Sequence, residues 1–296
     1  MITIFGSTNL DLIGTVSRIP RPGETVPGGT FSMAAGGKGA NQALAARRAG
    51  SAVRLVAAAG SDSFADEALK LLRADGVDLS DLRRTDGATG IAMIFVDQSG
   101  ENVIAILPGA NGTMSPADAE RSLSGLNTGD ILLLQQEIPQ DATRRALEIA
   151  REKGATAILN TAPFLDTTAE VAGLASILVS NETEFELMTG AGLDRLDTAM
   201  AERAKATGQT IIVTLGADGA RAATPGRSFA VPSPKIRPVD TTGAGDTFTG
   251  YLAAGLDQGL DLEAALRRAV IAGALACLKP GAQPSIPTRA EVDKGV

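Results

Sequence analysis

From about residue 125 onward the chain alternates between two kinds of segment, and this rotation restricts the fold more than any other feature. Ile131–Leu134, Thr156–Leu159, Ile177–Val179 and Ile211–Leu215 are short apolar runs of strand type. Amphipathic stretches such as Asp141–Lys153 and Thr198–Thr207 lie between them. Strand and helix in rotation predict βαβ units, hence a parallel sheet with helices on both faces. Ile2–Phe5 and Val53–Ala58 supply two further strands, with helices expected near Ala40–Ala49 and Ala65–Ala74. The expected class is α/β, three layers around a mostly parallel sheet.

Two segments break the rotation. Leu12–Met33, which contains PRPGETVPGG, reads as strands and turns without a helix. Thr89–Leu107 reads as a hairpin, TGIAMIFVD and NVIAIL around the turn QSGE. Alternation puts Ala92 and Ile94 on one face of the first strand, where Ile104 of the second meets them, and turns Phe95 away. Residues 12–33 and 89–107 are expected to form a small β-sheet standing off the main one as a lid. With no flexible linker visible, residues 1–296 read as a single domain.

Several chemistries are excluded by what the chain lacks. It has no histidine, which removes Ser-His-Asp hydrolysis, His-based acid–base work and His-ligated zinc. Its one cysteine, Cys277, lies in an apolar stretch and is expected to be an inert buried thiol. A net charge of −7 argues against nucleic acid as a partner, because such binding draws on Lys and Arg at phosphates. The chain starts directly on the strand-like ITIFG, with no basic leader and no apolar run of membrane-spanning length. A cytoplasmic protein with no membrane partner is expected.

In open parallel sheets, ligands bind outside the carboxyl ends of the strands. Those exits carry polar groups here: Asn9 and Asp11, Glu137, Asn160, Asn181 and Glu184, and then Gly216. Their recurrence along one edge favours a single composite site.

Three motifs sharpen that reading. GGKGANQA, Gly36 to Ala43, is either a glycine turn opening a helix or a place where an oxygen-rich ligand meets backbone amides, Lys38 and Asn41. It is not a P-loop, because the residue five before Gly37 is Ser32, and the dinucleotide fingerprint after the first strand is also missing. NETE makes Asn181 a helix N-cap completed by Glu184, or the pair organises a hydrated Mg²⁺ and a phosphate. DTTGAGDTFTG, Asp240 to Gly250, is either a turn whose Asp246 complements a helix dipole or an anion hole. In the second case Gly243, Ala244 and Gly245 offer amides to a transferring anion, and Asp246 takes a proton from an attacking alcohol.

Together GSTNLD, GGKGANQA, TGIAMIFV, GENVI, NTAP, NETE, VTLG, DTTGAGDTF and GAQPSIP resemble the ribokinase-type carbohydrate kinases of the PfkB family, over nearly the whole chain. The resemblance implies ATP-dependent phosphorylation of a sugar hydroxymethyl group, requiring Mg²⁺ and activated by K⁺, in a homodimer clasped through the β-lid. It implies that Asn9, Asp11, Gly37, Lys38, Asn41 and Glu137 hold sugar hydroxyls under Ala92, Ile94 and Ile104. Asp246 is then the base and Gly243, Ala244 and Gly245 the anion hole. Asn181, Thr214, Gly216 and Gly245 line the nucleotide site, with Glu184 near Mg²⁺ through water. Asp240, Thr242, Ala276, Lys279, Gly281 and Ser285 surround K⁺, largely through carbonyls. The chain departs from the family pattern at Thr242, Lys279 and Val270, where Ile, Arg and an Asn or His are common.

Scarce aromatics, with no Trp and one Tyr, disfavour a nucleoside acceptor, which would need rings to sandwich its base. A phosphosugar would need more Arg or Lys in the lid than Arg18 and Arg21. The expected acceptor is D-ribose, with another furanose or small sugar as runner-up. A non-catalytic sugar or nucleotide sensor is the rival class, disfavoured by an intact Asp246 and anion loop.

Overall fold

The computed structural model describes residues 1–295. Thirteen strands follow in chain order: β1 (Ile2–Phe5), β2 (Asn9–Val16), β3 (Gly28–Gly36), β4 (Val53–Gly60), β5 (Leu82–Thr85), β6 (Gly90–Val96), β7 (Asn102–Leu107), β8 (Ile131–Leu134), β9 (Thr156–Asn160), β10 (Ile177–Asn181), β11 (Thr210–Thr214), β12 (Ala220–Ala223) and β13 (Ser228–Val231). The helices are α1 (Lys38–Arg48), α2 (Ser63–Ala68), α3 (Lys70–Ala74), α4 (Pro116–Leu123), α5 (Gln140–Lys153), α6 (Thr168–Ala172), α7 (Glu182–Thr189), α8 (Leu196–Thr207), α9 (Ala244–Asp257), α10 (Leu262–Ala276) and α11 (Arg289–Val292). The stretch expected as one helix near Ala65–Ala74 is divided in two at Leu69, where the backbone turn flattens to φ −98° and ψ −2°.

Nine strands form one sheet in the order β13-β12-β11-β10-β9-β8-β1-β4-β5. Neighbours from β11 to β5 run parallel; β12 and β13 are antiparallel. Strand alternation divides the core. Ile2 and Ile4 face one layer, with Leu44, Tyr251, Leu252 and Leu266 of α1, α9 and α10. Phe5 faces the other, with Leu123, Leu147 and Phe185 of α4, α5 and α7. Strands buried on both faces are apolar at nearly every position, which is why their runs read as almost continuous in sequence. No helix among the described residues is long and apolar enough to cross a membrane.

A second sheet, β3-β2-β6-β7, stands apart. Asp11 pairs with Ala92, Ile13 with Ile94, and Ile94 with Ile104, so these residues share one face. Phe31, Met33, Met93, Phe95, Val103 and Leu107 are exposed on the other. The sheet joins the body at one end, where β2 begins, β3 ends, β6 begins and β7 ends; three residues separate β1 from β2.

Candidate active site

The centre of the site is a helix crossing. Gly250 on α9 sits against α1, where a Cβ would lie 2.6 Å from both the Gln42 carbonyl oxygen and the Ala45 Cβ. Only a bare backbone allows that approach, and it carries α1 side chains to the start of α9. Asn41 Nδ2 donates to Asp246 Oδ2 at 2.9 Å. Gln42 Nε2 donates to Asp246 Oδ1 at 2.9 Å. The start of α1 is fixed by Gly37, which glycine alone can fill: its φ is 86°, and a Cβ there would lie 2.6 Å from the Asn9 nitrogen.

Asp246 is the third residue of α9 and is buried, yet it lines a chamber of about 230 Å³ with Lys38, Asn181, Glu184, Gly243 and Gly245. Among the described residues, the N–H groups of Gly243, Gly245 and Asp246 donate to no protein acceptor. That of Ala244 donates to the Thr241 carbonyl at 3.2 Å. The expected trio of open amides, Gly243 to Gly245, is therefore revised. The left-handed turn at Gly243, φ 74°, ties up the Ala244 N–H and leaves that of Asp246 open.

Beside this lies a cluster of charge. Burial, then the charges of Glu137 and Asp246, push the Asp11 carboxyl up to about 7, with Lys38 opposing. Burial lowers the Lys38 ammonium, but Asp246, Glu137, Glu184 and Asp11 outweigh it and hold it above the usual lysine value. Glu137 Oε2 accepts from Ser7 Oγ at 2.6 Å and from the Lys38 N–H at 2.9 Å. Asn9 Oδ1 accepts from Asn111 Nδ2 at 2.7 Å, which leaves the Asn9 amide nitrogen as its free end. Ala92 is buried, Ile94 half-buried and Ile104 exposed along the face they share with Asp11.

A larger cavity of about 580 Å³ adjoins the chamber and shares Thr214, Thr241 and Gly245 with it. Gly216, Ile236, Phe248, Val270, Ala274 and Cys277 complete much of its wall. Cys277 is thus half-buried at the cavity rather than sealed in the core, although burial and Asp240 still raise its thiol. Asn181 and Glu184 form the full reciprocal helix cap: Asn181 Oδ1 accepts from the Glu184 N–H at 2.8 Å, and Glu184 Oε2 from the Asn181 N–H at 3.1 Å. Thr161 Oγ1 also donates to Glu184 Oε2, at 2.8 Å. The capping reading of NETE holds, and both capping residues also line the chamber.

The segments before α9 and after α10 meet. The Val239 N–H donates to the Cys277 carbonyl at 2.8 Å, and the Thr242 and Gly281 N–H groups donate to the two oxygens of Asp240 at 2.9 and 2.8 Å. Those bonds hold the Asp240 carboxyl below its usual range against the effect of burial. Ser285 Oγ donates to the Ala282 carbonyl at 2.8 Å, and the Ala276 carbonyl accepts from the Lys279 N–H at 3.4 Å. The Lys279 ammonium turns outward to Glu291, at 3.1 Å.

Sequence reasoning passed over Gln42, Gln135 and Asn111. Gln42 stood inside GGKGANQA, one position after a singled-out residue, and Gln135 opened the strand exit that supplied Glu137.

A family model described as pfkB family carbohydrate kinase matches residues 1–289. The ribokinase of Haemophilus influenzae is 35% identical over 296 residues, covering 98% of this chain and 96% of its own. The deoxyribokinase of Salmonella typhi is also 35% identical, over 97% of this chain and 95% of its own. The structure of Arabidopsis thaliana ribokinase complexed with ribose and ATP aligns with TM-score 0.89 at 32% identity, over 99% of this chain and 97% of that one. With the family model matching residues 1–289, the chain belongs to the pfkB family of carbohydrate kinases.

Proposed function

We propose that this chain transfers the γ-phosphoryl group of ATP to the hydroxymethyl oxygen of D-ribose, giving D-ribose 5-phosphate and ADP. The observation that carries the proposal is the Asp246 carboxylate, held by two amide side chains in the chamber that the unbonded Gly243 and Gly245 N–H groups line. Asp246 accepts the hydroxyl proton as that oxygen attacks phosphorus. The bond from phosphorus to the ADP oxygen breaks, and the open amides stabilise the charge on the phosphoryl oxygens.

Asn9, Asp11, Gly37, Lys38, Asn41 and Glu137 are the proposed sugar ligands. Asn41 Oδ1 is buried and accepts from no donor among the described residues, and a sugar hydroxyl satisfies it. Carboxylates and amides pair well with adjacent hydroxyls and reject an analogue that lacks one. That favours ribose over deoxyribose. Ala92, Ile94 and Ile104 are proposed to cover the sugar as part of a β-lid, residues 12–33 and 89–107.

ATP is assigned to the larger cavity, near Thr214 and Gly216, with its phosphates towards Asn181, Gly245 and Lys38. The oxygen donors Glu184 and Asn181 suit a hydrated Mg²⁺, which keeps most of its waters. Such an ion would neutralise phosphate charge. Asp240, Thr242, Ala276, Lys279, Gly281 and Ser285 offer carboxylate, carbonyl and hydroxyl oxygens, a donor set that suits K⁺. The apolar outer face of the small sheet supports a homodimer through the lid. Consumption of ATP makes the cytoplasm the proposed compartment.

The test is ADP release from Mg-ATP with a panel of sugars. D-ribose should give the highest kcat/KM, above 2-deoxy-D-ribose and other furanoses. A sugar that binds with no ADP release would replace the kinase by a sensor.

A further inference from the structure

We propose that Gln135 is a positioning residue that acts through Gln42 on the carboxylate of Asp246; this rests on the assignment of Asp246 as the base. Asn160 Nδ2 donates to the Val179 carbonyl at 3.2 Å, which turns Asn160 Oδ1 towards Gln42. Gln42 Nε2 donates to that oxygen at 3.3 Å and to Asp246 Oδ1 at 2.9 Å. Its own Oε1 then accepts from Gln135 Nε2 at 2.6 Å. Every amide in this relay has one permitted orientation, because a carboxylate and a carbonyl only accept.

Gln135 stands at the end of the relay, fully buried. Its Nε2 is used, but its Oε1 has no donor among the described residues. A buried acceptor without a partner costs stability, and a hydrophobic side chain of the same size would avoid that cost. The geometry gives the amide a use that no apolar group can fill. Without the Gln135 N–H, Gln42 Oε1 is left buried with no donor, and the amide is no longer held from behind against Asp246 Oδ1, which weakens a hydrogen bond that favours the ionised form of the base. The other charged groups around Asp246 are Lys38 on α1, Asp11 on β2, Glu137 after β8 and Glu184 on α7, and among the described residues none of them hydrogen-bonds to Gln135 or Gln42.

The experiment compares wild type, Gln135→Met, Gln135→Glu, Gln42→Met, the double Met variant and Asp246→Asn. Turnover is measured with Mg-ATP and ribose from pH 5 to 9, well below each variant's unfolding midpoint. Gln135→Met should reduce kcat about tenfold with the sugar KM unchanged. In Gln135→Glu the new carboxylate attracts Gln42 Nε2 away from the base, so the acidic limb of the kcat profile should move to higher pH. The double variant should lose no more than Gln42→Met alone, because one residue acts through the other. Wild-type kcat and pH profile in both folded Gln135 variants would overturn the proposal, as would independent losses in the double variant. If no Gln135 variant folds, ¹⁵N NMR of wild type reads the Gln42 side-chain amide directly. One exchange-protected NH₂ pair is expected, and a rapidly exchanging one overturns the proposal. Full turnover in Asp246→Asn instead removes the base assignment itself, a distinct result.

Discussion

Gly250 on α9 presses its bare Cα against the main chain of Gln42 on α1, and the register of Asn41 and Gln42 with Asp246 depends on that contact. In Gly250→Ala the new methyl meets backbone and an Ala45 methyl, neither of which can rotate away. The variant should lose about 1–3 kcal/mol of stability by overpacking. It should also lose kcat, although residue 250 touches no substrate. Urea unfolding and steady-state turnover check both effects; unchanged values would mean the helices separate freely.

Asp246→Asn should lower kcat by about 10²-fold or more, with sugar binding retained, since a positioned base contributes about 10²–10⁴. Calorimetric ribose binding beside turnover separates the two effects. Near-wild-type turnover would take the base away from this residue.

Asp11 gives a pH signature. Its carboxyl is raised from 3.8 to about 7 in the folded chain, chiefly by burial. The folded state therefore holds a proton that the unfolded state has released. The resulting stability is present in full below pH about 3.8, declines as pH rises and is gone above about 7. The stability difference between wild type and Asp11→Asn should follow that course in denaturant titrations at fixed ionic strength. Sugar KM should rise below pH 7 in wild type, where the carboxylate is lost, and stay flat in the variant.

The base of the phosphoryl donor should be read loosely. Ile236, Phe248, Val270 and Ala274 line the larger cavity, and none carries a hydrogen-bonding side-chain group. Apolar pockets discriminate between similar ligands by about 10–200-fold, far less than hydrogen-bonding sites. GTP and ITP should then support turnover with kcat/KM within about 10²-fold of ATP. A much larger preference for ATP would assign base reading to main-chain groups.

Potassium should raise activity over choline buffer at equal ionic strength, and Asp240→Ala should abolish the difference. Asp240 bridges the loop before α9 to Gly281, so its loss also frees the segment that leads into Gly243. Equal rates in the two buffers would discard the cation site.

The main sheet was legible because Ile131–Leu134 or Ile211–Val213 are buried throughout, and a doubly covered strand leaves an unbroken apolar run. The start of the small sheet was less so: β2 begins at Asn9, three residues before Leu12, because its first turns of pleat carry polar residues towards the site. Asp246, Asn41, Lys38 and Glu184 were visible from their motifs. Gln42 and Gln135 were not, since they are 93 residues apart and only the folded chain brings α1 to the residue that follows β8, which no local pattern encodes. The same holds for Asn111, which reaches Asn9 across 102 residues. Capture of the Ala244 N–H by Thr241 was likewise hidden, because it follows from the dihedral angles of one turn.

The attachment of the small sheet makes it a lever. Asn9 and Asp11 lie at the fulcrum, where β2 leaves the body, while Val16 lies at the far end of the same eight-residue strand. At about 3.3 Å per residue, a pivot of roughly 10° displaces that far end by about 4 Å and the two polar residues by about 1 Å or less. Under the proposed reading, the distal edge of the sheet would sweep aside to admit the sugar while Asn9 and Asp11 keep their places.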